Sequence, residues 1–260
     1  MGGFLSTVVN RIKVINLTMD ADPSLNATTL PWHRVFQMVN INKLKFSNCT
    51  FRNLQNVQIF NLFNVWRSSL YDSVNVTKMV FENITVTNNS ADYWSKNATY
   101  LSLFPLNSPQ KPYKVTFRNS YFNLNRVCKL FSSHLFSSVI ANGIILTLES
   151  SKAEVIIQNC TFDDNFAHMG GAAFAAQTMQ QNQNIFTFRN NTFRNNFAAV
   201  SGGVFSFVNT WASTTASNNT YINNTAVAKG GVGFVLSSKL VFFERNAHYQ
   251  SPMKFCEISI

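Results

Sequence analysis

Seven asparagines, spaced like the rungs of a stack, constrain this chain more than any other feature. Asn16, Asn48, Asn83, Asn119, Asn159, Asn190 and Asn218 follow one another at intervals of 32, 35, 36, 40, 31 and 28 residues. Six of them hold the third place of a nine-residue pattern, at 46–54, 81–89, 117–125, 157–165, 188–196 and 216–224. Val14-Ile-Asn-Leu-Thr18 is a shorter copy. Self-similarity at a period of roughly 20–50 residues marks supersecondary units that bury their faces only by stacking.

The pattern reads as strand, bend, strand. Position one is apolar in all six full copies and position two is polar, the alternation of a half-buried strand. Position six is again apolar and large: Phe51, Val86, Phe122, Phe162, Phe193 and Tyr221. A strict period of two would turn position six outward, so the chain must bend between positions three and five, at the Asn. Asn suits such a bend because it tolerates the left-handed backbone region. The chain holds 34 Asn but only 16 Gly and Pro together, so Asn must make many of its turns. Stacked Asn side chains can also bond along successive coils as a ladder. The seven third-position Asn are therefore expected to form a structural ladder, turned inward. Phe is frequent, at 25 residues, and charged residues make up only 12%, which argues for a packed core.

Three later copies add a second element, a Gly pair ahead of a small apolar strand: Gly170-Gly171, Gly202-Gly203 and Gly230-Gly231. Glycine there permits close stacking of coils and backbone angles other residues avoid. The N-terminal Met1-Gly2-Gly3-Phe4 reads like Met169-Gly170-Gly171, which sets residue 1 inside a coil and argues against a myristoylated Gly2. Residues 19–40 and 90–113 read as loops leaving the stack, and 126–150 as strands or a short covering helix. Lys254-Phe-Cys-Glu-Ile-Ser-Ile260 alternates like a further strand. The expectation is one all-β domain over 1–260, a section of a longer solenoid. Residues 1–150 would form irregular coils with long loops and 151–260 regular ones, about 7–9 coils in all.

These paired motifs resemble the repeats of chlamydial polymorphic outer-membrane proteins, which combine F-x-x-N with G-G-A-[ILV]. The matches are Phe162-Asp-Asp-Asn165 with Gly170-Gly171-Ala172-Ala173, Phe193-Arg-Asn-Asn196 with Gly202-Gly203-Val204, and Tyr221-Ile-Asn-Asn224 with Gly230-Gly231-Val232. They cover 155–235; over 1–150 only the Asn-centred half persists. The resemblance implies a right-handed parallel β-helix of the pectin-lyase-like kind, used for surface adhesion without catalysis.

The same fold also carries polysaccharide lyases and glycoside hydrolases, so a second reading is a carbohydrate-active enzyme. Glycoside hydrolysis needs two carboxyl groups across the bond. Among 11 acidic residues the adjacent pair Asp163-Asp164, followed by His168, is the one candidate. With Arg11-Ile12-Lys13 it resembles polygalacturonase motifs, but that family's basic triplet comes last. The residue types favour a polar turn, and no catalytic residue is assigned.

Neither C-x-x-C nor a His/Cys cluster occurs, so no metal or cofactor is expected. Cys49 and Cys160 share one repeat position three coils apart, about 14 Å at strand spacing. That exceeds the roughly 7 Å reach of a disulfide, so both are expected as buried thiols. Cys128 and Cys256 are left open. Eleven N-x-[ST] sequons occur, eight of them inside the repeat. An inward ladder would hide its Asn, so Asn26, Asn75 and Asn97 are the first glycan candidates, then Asn88 and Asn223. The formal charge of +10 is spread without a basic run. That leaves solvated strand faces on one side and attraction to acidic glycans or a negative membrane surface on the other. No nucleic-acid motif accompanies the charge. No stretch of 18 apolar residues could span a bilayer as a helix. The functional expectation is an extracellular or cell-surface structural protein, part of a coat, adhesin or fibre. Its partners would be neighbouring chains, a continuation of the same solenoid, or acidic glycans.

Overall fold

The computed structural model describes residues 9–21, 33–38, 41–55, 57–62, 78–93, 104–107, 113–129, 146–149, 153–168, 170–177, 184–208, 210–236, 239–245, 248–249 and 255–258. The chain is an all-β parallel solenoid. Every strand pairing is parallel, and successive strands of each sheet come from successive passages of the chain.

A single coil, 153–177, displays the plan. Ala153–Gln158 lies in the first sheet, Thr161–Asp163 in the second, Phe166–Ala167 in the fourth, and Phe174–Gln177 in the third. Among the described residues the first three sheets hold eight strands each and the fourth holds five. The first sheet runs from Val9–Ile15 to Lys239–Arg245, the second from Thr18–Asp20 to His248–Tyr249, and the third from His33–Met38 to Phe255–Ile258. The Lys254–Ile260 stretch thus does supply a strand, paired with Gly233–Leu236.

The N-terminal half follows the same plan, which corrects two loop expectations. His33–Met38 lies within 19–40 yet pairs with Val57–Leu62 in the third sheet. Ser90–Tyr93 and Phe104–Asn107 lie within 90–113 and also join sheets. Pro105 obscured the latter strand, since proline offers no N–H to a ladder; toward the preceding coil the described residues match at Leu106↔Leu62. Residues 126–150 contribute the strands Arg126–Lys129 and Leu146–Glu149, and no helix occurs among the described residues.

Inward residues of consecutive coils fall into register and stack. Position one puts Phe46 against Phe81 at 5.4 Å between ring centroids and Phe81 against Phe117 at 4.6 Å. Position six stacks Phe122 on Phe162 at 4.8 Å, Phe162 on Phe193 at 5.1 Å, and Phe193 on Tyr221 at 5.3 Å. All of these rings are buried, and the two columns meet edge to face, as Phe117 does with Phe122. Offset stacks and edge contacts of this kind add to the stabilisation from burial alone.

The register of the Gly motifs differs from a pair-on-pair alignment. Gly171, Gly202 and Gly230 share one left-handed corner, with φ of 68°, 72° and 67°. The first pair's second Gly therefore matches the first Gly of the later pairs, and Phe174 falls on Phe205 and then Gly233. At Gly202 a Cβ would lie 2.1 Å from the Phe205 carbonyl oxygen, so no larger residue fits without moving backbone.

Candidate functional site

Besides the glycine corner, the described residues of the coils turn two corners on left-handed residues other than glycine. The first holds the seven third-position Asn, all with φ between 50° and 57°. The second holds Asn53, Asn88, Leu124, Asp164, Asn195 and Asn223. At the first corner the amides bond from coil to coil: Asn48 Nδ2 donates to Asn16 Oδ1 at 3.2 Å and Asn83 to Asn48 at 3.0 Å. Farther along, Asn159 donates to Asn119 and Asn190 to Asn159, both at 3.2 Å. All seven are exposed, which reverses the inward expectation. A left-handed residue swings the chain so that the next side chain, rather than its own, enters the core.

Those next side chains form the buried ladders. After the second corner stand Asn89, Asn125, Asn165, Asn196 and Asn224. Each Nδ2 in the run from Asn89 to Asn196 donates both to the next Asn Oδ1, at 2.9–3.1 Å, and to a backbone carbonyl such as Phe122 O. Their Oδ1 atoms also accept backbone N–H groups, as Asn165 does from Asn125. A shorter column, Asn191 and Asn219, does the same after the first corner. Nothing in sequence marked these residues as the inward ones except their place directly behind a bend.

The paired acids separate. Asp163 is buried and accepts from Arg194 and, at 3.5 Å, from Asn195. Asp164 sits exposed on the left-handed corner, φ 49°. One carboxylate is committed to an ion pair inside the wall while its neighbour points to solvent, so the two do not flank a common space. His168 is half-buried beyond them. Among the described residues no group of three or more His, Cys, Asp or Glu is placed to hold a metal.

The first sheet lines up charge that the sequence leaves scattered. Arg11, Lys43, Lys78 and Lys114 are register partners on four consecutive strands, and Lys13 and Lys45 stand beside them two residues along. Glu154 closes the column and binds Lys114 at 2.6 Å. Glu82 binds Lys45 and Arg118, each at 2.7 Å. Those two cations, Lys45 first, hold the Glu82 carboxyl below its usual pKa. Arg11, Lys13, Lys43 and Lys78 have no ion-pair partner among the described residues.

Cys49 and Cys160 are buried free thiols. Burial pushes the Cys160 thiol up to about 12. Since the thiolate is the reactive form, iodoacetamide at pH 8 should leave Cys160 unmodified in the native chain and alkylate it fully in guanidinium; native labelling at the unfolded rate would contradict its burial. The raised pKa also has a sign for stability. The contribution from the buried neutral thiol is complete below pH 9 and is lost as pH climbs toward 12.

Asn26, Asn75 and Asn97 lie outside the described residues. Asn88 and Asn223 are exposed, and the Asn88 amide donates to Asn53 at 2.8 Å. Because the first-corner Asn are exposed as well, their sequons are open to solvent, contrary to the ranking drawn from an inward ladder.

Compared with protein-family models, with curated proteins and with solved structures, the chain matches none.

Proposed function

We propose that this chain is a non-catalytic, extracellular β-helix that forms part of a cell-surface coat, adhesin or fibre. Its coils would wind right-handed, as in the pectin-lyase-like solenoids that its Phe-x-x-Asn and Gly-Gly motifs resemble. The observation that carries the reading is the continuity of its columns. Stacked aromatics and buried amide ladders stiffen the interior. An exposed Asn ladder repeats along the outside. The repeats thus build an extended rod surface, which suits contact with neighbouring chains or a further length of solenoid.

Surface biotinylation of intact producing cells tests the location, paired with a reducing-end assay of the purified chain on a panel of plant and microbial polysaccharides. Labelling on intact cells with no release of sugar ends is the expected result. Protein reachable only after lysis would remove the surface role. Sugar release abolished by Asp163→Asn would make the chain an enzyme.

A further inference from the structure

We propose that the column Arg11–Lys43–Lys78–Lys114, flanked by Lys13 and Lys45, binds a linear acidic polysaccharide laid along the solenoid axis. The inference rests on the extracellular reading for its biological sense, but its chemistry stands on the charge arrangement alone.

Like charges directly opposite one another on adjacent strands are destabilising. On the second sheet this chain avoids that arrangement by pairing charges across coils: Arg52 with Asp20 and Arg194 with Asp163. The first sheet pairs Glu82 with Lys45 and Arg118, and Lys114 with Glu154, yet it sets Arg11, Lys43 and Lys78 side by side with no ion-pair partner among the described residues. The strands Val9–Ile15, Ile41–Ser47, Lys78–Glu82, Tyr113–Arg118 and Ala153–Gln158 carry seven cations and two carboxylates. The cations concentrate at one end of the sheet. Farther along, Asn184–Arg189 offers only Arg189, Trp211–Ser217 no charge at all, and Lys239–Arg245 two cations with Glu244 between them in sequence. Parallel register places one cation per coil, so the spacing along the column is about 4.8 Å. A polymer that carries its own line of anions matches such a row and releases the small counterions that otherwise neutralise it.

The neighbouring side chains favour a saccharide. Over the coils of the basic column, the positions in register with Lys45 are Val80, Thr116 and Ile156, with no aromatic on which a nucleobase could stack. Along the same strands' ends runs the exposed Asn16–Asn48–Asn83 ladder. Asn48 and Asn83 each give one amide N–H to the preceding coil, and the second N–H has no partner among the described residues. Ammonium groups for sulfate or carboxylate, beside amides for hydroxyl groups, are the donor set an acidic sugar polymer requires.

Size-defined heparin oligosaccharides are the probe, with the purified full chain. Affinity should rise with oligosaccharide length until the four coils, about 14 Å, are spanned and then level off. It should fall about 50- to 150-fold between 50 and 200 mM salt, as release of counterions from some four contacts requires. Lys43→Glu with Lys78→Glu should weaken binding at least ~30-fold, on the order of 2 kcal/mol. Each new carboxylate faces a cation on its other side, Arg11 or Lys114, so like-charge contacts along the four-residue column fall from three to one and the double variant should melt no lower than wild type; lost binding is then not lost folding. Arg189→Glu, on the same face but beyond the column, should change affinity less than about twofold. Wild-type affinity in the double variant would overturn the proposal, as would equal competition by neutral dextran. So would tighter binding to phosphatidylserine vesicles or to a 20-nucleotide single strand. If heparin fails while intact cells still label, this site falls and the surface role stands. If heparin binds but label reaches the chain only after lysis, the surface role falls and the site stands.

Discussion

Replacing Asn165 with alanine should cost roughly 4 kcal/mol, enough to remove much of the stability of an ordinary domain. Asn165 is buried in the middle of the inner ladder. Its Oδ1 accepts both the backbone N–H of Asn125, at 3.2 Å, and the Asn125 amide, at 3.0 Å. Its Nδ2 donates to Phe122 O at 3.1 Å and to Asn196 Oδ1 at 3.0 Å. Alanine orphans two donors and weakens two acceptors where no water replaces them, and each buried orphan costs about 1–3 kcal/mol. Asn165→Asp keeps the shape but loses the donors, so its carboxylate would face the Phe122 and Asn196 oxygens. Its folded pKa must then be raised. Its stability should be nearest to wild type below about pH 4 and should fall as pH rises. Asn159→Gly on the outer ladder is the contrast. It keeps the left-handed corner and exposes no buried group, so the change should stay near 1 kcal/mol or less. Urea titration of the three variants checks the order; equal losses at 159 and 165 would mean that the two ladders share one environment.

That contrast also explains how far the sequence could be read. The bend was legible because positions one and six are both apolar and a strand alone cannot turn both inward. The direction of the Asn was not, because two different jobs use the same residue. Corner Asn is chosen for its backbone, and Asp164 and Leu124 can replace it at the second corner. Inner Asn is chosen for an amide that donates and accepts at once, and Leu54 stands in only near the first coils. In linear sequence the two adjoin, as in Asn195-Asn196, and only the left-handed φ of the first sends the second inside. The basic column was hidden for a related reason. Arg11, Lys43, Lys78 and Lys114 lie 32 to 36 residues apart and look scattered until parallel register sets them side by side. Asp163 and Asp164 are the opposite case: adjacent in sequence and read as a polar turn, they part because Asp164 takes the left-handed corner while Asp163 stays inside with Arg194.

Phe162→Ala should destabilise the chain by about 3–5 kcal/mol. Phe162 is wholly buried and sandwiched, with Phe122 at 4.8 Å on one side and Phe193 at 5.1 Å on the other. Each stacked pair contributes roughly 0.5–1.5 kcal/mol beyond the burial of area, and both pairs are lost together. The surroundings are poorly able to collapse into the space. Strand register fixes the spacing of Phe122 and Phe193 through Tyr121–Asn123, Thr161–Asp163 and Thr192–Arg194, so the rings cannot close the gap without breaking backbone bonds. Phe166→Ala supplies the comparison, since Phe166 stacks on Phe197 at 5.5 Å but is only half-buried in the wall. Its loss should stay below about 2 kcal/mol. Chemical denaturation of both variants gives the two numbers. A cost at Phe162 below 1 kcal/mol would mean that the column yields along the axis, and a solenoid that soft could not serve as a rod. A cost in the expected range, with an unchanged denaturant slope, would place the stiffness of the stack in its aromatic column rather than in its surface ladders.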